Sequence, residues 1–199
     1  MSILYGILGL KHSGKTTLGR LLSQKLELGW YDTDRLLEKW YLEKQNEKPQ
    51  KYPVRAKNES FLPRLIYRTH GPENFSRFEA ESLTDFLETC DDYSLVLSTG
   101  GAFVTNPRAV EVLKTRKSIL LFLDTPEEVL FGRIEKKGIP PFIEASNLAE
   151  SRKVWHTIYT SRRQVALEIA DICISCGELE INEVYNRVLV ALEEWNNGR

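Results

Sequence analysis

A short glycine-rich segment near the start of the chain constrains its fold more than any other feature. Residues 9–16 read GLKHSGKT and match the pattern GxxxxGK[ST]. Apolar residues precede this segment, and Leu18, Leu21 and Leu22 follow it at helical spacing. The segment is therefore expected between a strand and a helix, which is where a phosphate-binding loop has to lie.

Each residue type in this loop suits the binding of a nucleoside triphosphate. Glycines let the backbone curl so that successive N–H groups point at phosphate oxygens, and the following helix adds its dipole. The Lys15 ammonium is placed for the β- and γ-phosphates, and the Thr16 hydroxyl is placed to ligate Mg²⁺. The alternative is that these eight residues match the pattern by chance, in which case Lys15 would be an ordinary surface residue. The candidate nucleotide-binding residues here are Gly9, His12, Ser13, Gly14, Lys15, Thr16 and Thr17.

Apolar strand patterns alternate with amphipathic helix patterns along the chain. The predicted strands are 2–8, 28–31, 94–98, 118–123 and 172–174, and the predicted helices include 15–26, 107–113, 126–136 and 181–195. Such alternation is typical of an α/β fold with a parallel sheet between two helical layers. We expect a single domain, residues 1–199, with a P-loop-type three-layer α/β/α architecture and a central parallel sheet of about five strands.

Two regions interrupt the alternation. Residues 36–90 are mostly helical in pattern and highly charged, with a loop-like stretch at 45–60. Residues 135–151 contain Pro140 and Pro141, which exclude a continuous helix. Both are predicted to be insertions over the edge of the sheet, serving either as covers of an active site or as surface elaboration.

Composition excludes several classes of partner. The chain has 27 basic and 28 acidic residues, so its charge gives no reason to expect nucleic acid or a membrane surface as a partner. No apolar run approaches the roughly 20 residues that span a bilayer, and three cysteines suit a reducing cytoplasm. Cys173 and Cys176 form a CxxC without a second ligand pair, so we assign them no metal or redox function.

Polar residues follow the predicted strands, where ligands of a parallel sheet collect. Asp32 and Asp34 would serve a metal and a substrate hydroxyl, or only cap the next helix. Gly100 and Gly101 allow a ligand to approach closely, or form a plain turn. None of the strand ends LSTGG, FLDTP and CISCG carries the guanine-reading NKxD of a GTPase switch protein.

Six segments of the chain occur in the order and approximate spacing found in a known family. They are GLKHSGKTTLGRLLSQKL, YDTD, GPENFSRFEAESL, LSTGGAFVTNP, SILLFLDTPEEVLFGRI and SRRQVALEIAD. In these segments the chain resembles the shikimate kinases, small P-loop kinases that phosphorylate the 3-hydroxyl of shikimate with ATP and Mg²⁺. The resemblance implies that 36–90 is a helical substrate-binding insertion and that 135–151 contains a lid.

The resemblance also implies a role for individual positions. Asp32 would hold Mg²⁺ through water beside Thr16, and Asp34 would bind the substrate hydroxyls and orient or deprotonate the attacking one. The N–H groups of Gly100 and Gly101 would face the substrate. Arg162 would bind its carboxylate, and Arg133 would lie beside the adenine.

At three positions the chain departs from the family pattern. Ser76 stands where the family has a substrate-binding arginine, and Arg77, one position later, is the candidate replacement. Ile139 stands where the lid arginine meets the γ-phosphate, and Lys136 or Lys137 is the candidate there. The third glycine of the family's GGG is Ala102.

Three functions remain open at this stage. The first is a divergent, monomeric shikimate kinase that uses ATP with Mg²⁺ and a small-molecule acceptor. The second is a related kinase that acts on another polyol or hydroxy acid. The third is a nucleotide-binding protein that has lost phosphoryl transfer. The presence of the whole set disfavours the third function: Lys15, Thr16, Asp32, Asp34, Gly100 and Arg162.

Overall fold

A five-stranded parallel sheet forms the centre of the molecule. The computed structural model describes residues 2–44, 62–90 and 92–198. The strands are β1 (Leu4–Leu8), β2 (Gly29–Asp32), β3 (Leu95–Ser98), β4 (Ser118–Asp124) and β5 (Ile172–Ser175). Their spatial order is β2-β3-β1-β4-β5, and all neighbouring strands run parallel. The predicted α/β fold class and number of strands are therefore confirmed.

Helices cover both faces of the sheet. They are α1 (Lys15–Leu26), α2 (Thr33–Lys44), α3 (Leu62–Thr89), α4 (Pro107–Lys114), α5 (Glu127–Lys137), α6 (Leu148–Ile169) and α7 (Ile181–Asn197). A short 3₁₀ helix, Phe103–Thr105, precedes α4. The loop expected at 45–60 lies outside the described residues.

The core consists of two apolar layers separated by the sheet. On one face, Leu83, Phe103, Phe122 and Trp155 belong to a cluster that joins the sheet to α3–α6. On the other face, the side chains come chiefly from β1, β4, α1 and α7, and include Ile7, Leu18, Leu121 and Val188. The central strands are apolar on both faces because each face is covered by helices.

Helix α3 combines two parts with different surroundings. Gly71 has φ 77° and kinks the helix just before Pro72, which has no backbone N–H to donate. After the kink, Ala80, Leu83 and Leu87 pack into the sheet's own core. The second part of the predicted insertion 36–90 thus covers the sheet face. The part before the kink, 62–70, packs with α2 through a separate small cluster of Leu37, Leu62 and Ile66.

The start of α1 is fixed closely to the strands beside it. The Trp30 indole N–H donates to the Ser98 hydroxyl (3.0 Å), which in turn donates to the Lys15 carbonyl oxygen (3.1 Å). A side chain at Gly19 would collide with both Ser98 and Trp30. Glycine at that position therefore lets α1 lie close to the ends of β2 and β3.

The three cysteines form no disulfide. Cys173 lies exposed within β5, Cys176 is buried directly after this strand, and Cys90 is half-buried at the end of α3. Within the described residues, no helix is both long enough and apolar enough to cross a membrane.

Candidate active site

The predicted site residues meet at the carboxyl ends of β1, β2 and β3. The phosphate loop follows β1, Asp32 and Asp34 lie at the junction of β2 and α2, and Gly100 follows β3. The charges of Asp32, Asp34 and Arg162 all affect the pKa of Lys15, so these groups lie within electrostatic range of its ammonium. The structure thus brings together the nucleotide-binding and substrate-binding groups that the sequence suggests.

The phosphate loop has the backbone conformation of an anion cradle. His12 (φ 65°) and Gly14 (φ 96°) are both left-handed, and Gly14 is the N-cap of α1. The Arg133 guanidinium donates to the His12 carbonyl oxygen (2.9 Å), which supports the loop from α5. The Ser13 hydroxyl is buried and has no hydrogen-bond partner within the described part of the chain. Alternation between right- and left-handed residues turns successive N–H groups toward one point.

Lys15 is held inside this loop. Its side chain is 8% exposed, and Nζ donates to the Leu10 carbonyl oxygen (2.8 Å). Burial lowers the pKa of the Lys15 ammonium to about 8, while Asp34 and Asp32 act in the opposite direction. The side chain is thus mostly protonated at neutral pH. An arriving phosphate offers this ammonium a stronger, charged acceptor than the Leu10 carbonyl.

Thr16 and Asp32 supply the oxygen atoms that a hard cation such as Mg²⁺ prefers. Thr16 and Thr17 are exposed at the first turn of α1, and one Asp32 carboxylate oxygen accepts from the Asp34 backbone N–H (3.1 Å). The described residues contain no group of three or more His, Cys, Asp or Glu side chains that would bind a metal by themselves. This donor set fits a cation whose remaining ligands are phosphate oxygens and water.

Asp34 lies directly against the loop after β3. A Cβ atom placed on Gly100 would be 2.6 Å from an Asp34 carboxylate oxygen, so only glycine leaves room for this carboxylate. Burial raises the pKa of Asp34 to about 6, and the charge of Asp32 adds to this, whereas Lys15 and Lys11 oppose it. Asp34 is therefore mainly ionised at neutral pH, and its pKa is close enough to accept a proton.

Gly100 and Gly101 were expected to face a substrate with their N–H groups, and the structure shows contacts of both residues within the protein. The Gly100 N–H donates to the Thr33 hydroxyl (2.9 Å), so it is already engaged within the protein. Gly101 packs on the phosphate loop, where a Cβ atom would lie 3.1 Å from the Lys11 backbone nitrogen. Glycine at these two positions allows close contact among the end of β2, the end of β3 and the phosphate loop. This packing explains why both residues are glycines, and no substrate contact is needed to explain it.

The adjacent arginines of α6 face different surroundings. Arg163 makes two hydrogen bonds of 2.7 Å to the Asp124 carboxylate at the end of β4. Arg162 donates to the Gly101 carbonyl oxygen (3.2 Å), and its guanidinium lies 6.0 Å from the centre of the Phe142 ring. In the described part of the chain, no carboxylate forms an ion pair with Arg162. Arg162 is therefore the arginine of this pair that is able to bind an anionic ligand.

A hydrogen-bonded network of Ser76, Asn106 and Glu79 occupies the place of the missing arginine on α3. The Ser76 hydroxyl donates to the Asn106 side-chain oxygen (2.7 Å), and the Asn106 amide donates to the Ser76 carbonyl (2.9 Å) and the Glu79 carboxylate (2.7 Å). Asn106 also caps α4 by accepting from the Ala109 N–H (3.3 Å). An asparagine directly before Pro107 is a recognisable helix cap in the sequence, but its hydrogen bonds to Ser76 and Glu79 are visible only in the structure.

Arg77 does not take part in this group. Its exposed guanidinium donates to Asn74 (3.2 Å), lies 3.8 Å from the Glu81 carboxylate and rests on the ring of Phe78. One position along a helix corresponds to a rotation of about 100°, and here that rotation directs Arg77 to the surface. Arg77 is therefore not placed as a substitute for the arginine that Ser76 replaces.

Glu79 gives the network a measurable pH dependence. This side chain is 5% exposed; burial raises the pKa of Glu79 to about 7, Asp34 adds to the shift, and the Asn106 hydrogen bond opposes it. An unfolded glutamate loses its proton near pH 4.5, whereas the folded one keeps it up to about pH 7. The folded state is therefore favoured most below pH 4.5, and this contribution is lost as pH rises toward 7.

We predict that Glu79→Gln removes this loss. Its free energy of unfolding should match that of the wild type near pH 4 and exceed it by up to about 3 kcal/mol at pH 8. Denaturant unfolding across this range measures the difference. Glu88→Gln, at an exposed position of the same helix, is the matched control and should show no such trend. An equal difference at pH 4 and pH 8 would contradict the raised pKa.

The segment expected to form a lid (135–151) lies over the phosphate loop. Ile139 packs against the core and Ile143 is fully buried, so the position of the family's lid arginine is apolar here. A cavity of about 180 Å³, which we call the cationic cavity, is lined by Lys11, His12, Arg64, Lys137 and residues 138–141. Lys137 reaches this cavity and Lys136 does not line it. Arg64 belongs to no motif, and sequence reasoning missed it.

The matching family model and the curated sequence relatives both indicate the shikimate kinases. The family model described as "Shikimate kinase" matches residues 11–51 and 57–193. The chain is 29% identical to a shikimate kinase of Aquifex aeolicus, covering 94% of both chains, and 26% identical to one of Psychrobacter cryohalolentis, covering 95% of this chain and 88% of the relative. A solved shikimate kinase from Acinetobacter baumannii, in complex with shikimate, superposes with a TM-score of 0.72 at 22% identity, covering 98% of this chain and 94% of that one. At that identity the superposition shows a shared fold.

Proposed function

Because the chain belongs to the shikimate kinase family, we propose that it transfers the γ-phosphoryl group of ATP to a hydroxyl group of shikimate. The observation that carries this proposal is the convergence of Lys15, Asp34 and Arg162 at one edge of the sheet. A cation for phosphates, a base for a hydroxyl and a clamp for a carboxylate are the three groups that such a reaction requires.

The reaction joins an acceptor oxygen to the γ-phosphorus. The bond between the γ-phosphorus and the bridging oxygen breaks, and its electron pair stays on the departing ADP. Asp34 accepts the proton of the attacking hydroxyl and later releases it to solvent, which its pKa of about 6 allows at neutral pH. Lys15 and the loop N–H groups hold the phosphates in line for transfer.

Thr16 and Asp32 are the residues that would hold Mg²⁺ beside the phosphates. When bound, Mg²⁺ neutralises charge on the β- and γ-phosphate oxygens. Residues 135–151 would cover the site and exclude water, with Phe142 next to Arg162 at its acceptor side.

Arg162→Ala should raise the KM for shikimate by about 100-fold and change the KM for ATP little. A charge-assisted hydrogen bond to a carboxylate contributes up to about 3 kcal/mol, and Ser76 offers the acceptor no second guanidinium. Steady-state kinetics with each substrate varied in turn measures this. The neighbouring Arg163, engaged with Asp124, is unsuitable as a control; Arg108→Ala, at an exposed position of α4, is the better one. An unchanged KM for shikimate would mean that the acceptor carboxylate is bound elsewhere.

An ADP-release assay coupled to a spectrophotometric readout tests the proposal as a whole. The protein receives ATP and Mg²⁺ with shikimate, quinate, gluconate or nucleoside monophosphates. Turnover with shikimate alone is the expected result. Turnover with a different acceptor would replace shikimate as the substrate, and ATP binding without turnover would indicate a nucleotide-binding protein that no longer transfers phosphate.

A further inference from the structure

We propose that Arg64 supplies to the transferred phosphoryl group the guanidinium charge that the lid segment lacks at Ile139 in this protein. The inference rests on the proposed function and names a further catalytic residue for it. Its basis is the cationic cavity, where Arg64 of α3 faces the phosphate loop and the lid segment.

The charge in this cavity is of one sign. Its lining includes Lys11, Arg64 and Lys137 together with His12, and no Asp or Glu. Neither Arg64 nor Lys137 forms an ion pair with a carboxylate in the part of the chain that the structure describes. Like charges that face one space repel each other, and a bound anion relieves this repulsion. The cavity therefore suits an anion.

The position of the cavity identifies the anion. Lys11 and His12 lie in the phosphate loop, and residues 138–141 belong to the lid segment opposite. The phosphates of ATP bind along the loop, so the group that enters this space is the terminal phosphoryl group. The cavity volume of about 180 Å³ is several times the volume that one water molecule occupies in the liquid, about 30 Å³. The cavity therefore has room for a phosphoryl group.

Among the nearby cations, Arg64 is the one with suitable chemistry and support. Arg133 is engaged with the His12 carbonyl, and Lys137 is an exposed ammonium at the end of α5. A guanidinium offers a planar fork of donors that matches two phosphoryl oxygens, which an ammonium does not. Arg64 is half-buried and lines the cavity from its position on α3.

The packing of α3 keeps Arg64 in this place. Leu62 and Ile66, two positions before and after it, are 5% and 1% exposed and pack with Leu37 of α2. Helix α2 begins beside Asp34, so the same small cluster sets the spacing between the base and Arg64. Helix α3 thereby places the Arg64 guanidinium at the cavity where the γ-phosphate would lie. In the family pattern, the corresponding charge comes from an arginine of the lid.

Kinetics of Arg64→Ala test this role. We expect kcat to fall by about 100-fold, the usual effect of removing one group that stabilises transition-state charge, with little change in the KM for shikimate. The affinity for ATP should fall relative to that for ADP, which lacks the γ-phosphate. Arg68→Ala, one helical turn later at an exposed position, should behave as the wild type.

Two further variants guard against a merely structural effect. Arg64→Lys keeps the charge and most of the side-chain volume but loses the fork, so we expect an intermediate kcat and an unchanged melting temperature. Arg64→Ala combined with Ile139→Arg returns an arginine to the cavity from the lid side. It should recover at least about tenfold of the lost rate.

Other outcomes overturn the inference. An unchanged kcat in Arg64→Ala would do so, and so would a raised KM for shikimate at constant kcat, which would make Arg64 part of the acceptor site. If the wild type itself fails to phosphorylate shikimate, the proposed function fails. Calorimetric titration of ATP and ADP without an acceptor still decides the question for Arg64, because an equal loss or no loss for the two nucleotides contradicts a contact with the γ-phosphoryl group.

Discussion

Lys15→Ala abolishes phosphoryl transfer, with an expected loss of at least about 1000-fold in kcat. The ammonium of Lys15 is the buried positive charge at the centre of the phosphate loop, where it is held by the Leu10 carbonyl until a phosphate replaces that acceptor. Alanine leaves the loop backbone intact but removes the charge that stabilises the departing and transferred phosphate oxygens. Steady-state ADP release at saturating ATP and shikimate measures the effect.

A matched control separates loss of this charge from general damage. Lys25→Ala removes a lysine from an exposed position near the end of the same helix and should keep full activity. The melting temperature of Lys15→Ala should remain close to that of the wild type or rise, because the lowered pKa of Lys15 shows that its burial costs free energy. Substantial turnover by Lys15→Ala would show that residues 9–16 do not form the catalytic phosphate site.

Asp34→Asn is expected to reduce kcat by about 1000-fold while leaving ATP binding nearly unchanged. The asparagine side chain has almost the same shape, so it keeps the contact with Gly100 and does not disturb the loop after β3. It cannot accept the proton of the attacking hydroxyl, and it removes a negative charge near Lys15. Single-turnover measurement of phosphorylated product distinguishes a slow chemical step from slow product release.

Asp92→Asn is the control for this change because it makes the same substitution at an exposed turn before β3. It should retain the wild-type rate. A wild-type rate in Asp34→Asn would mean that another group, or water, receives the proton. The assignment of Asp34 as the base would then be wrong, although its hydrogen bonds to the acceptor would still be measurable as a change in the KM for shikimate.

Much of the fold follows from local patterns in the sequence. Strands such as Ser118–Asp124 are continuous apolar runs because both faces of the sheet are covered, and the phosphate loop places the first helix. The packing of α3 was harder to predict. Its residues have helical periodicity on both sides of Gly71, but periodicity does not show that Leu83 faces the sheet while Ile66 faces α2.

The candidate site shows a similar division. Lys15 and Asp34 lie near each other, as their positions at strand ends suggested, and Arg162 lies within electrostatic range of Lys15, as the resemblance to the shikimate kinases implied. The role of Asn106 and the orientation of Arg77 depend on the rotation of α3 against α4, which a linear pattern does not contain. Arg64 lies next to the phosphate loop only because of tertiary packing, whereas closeness in sequence to Ile139 indicated Lys136 and Lys137.

The kink at Gly71 also has a thermodynamic consequence for ligand affinity. Residues 62–70, together with Phe75 and Phe78, pack around the small cluster of Leu37, whereas the later part of α3, including Leu83, belongs to the core of the sheet. Segments with few buried contacts open locally at a lower free energy than the whole domain unfolds. Each opening would withdraw Arg64 from the phosphate loop but leave Lys15 in place, so the measured affinity for ATP is the average of the affinities of the closed and open states, weighted by their populations. Substitutions that enlarge this cluster would therefore tighten nucleotide binding without touching the nucleotide.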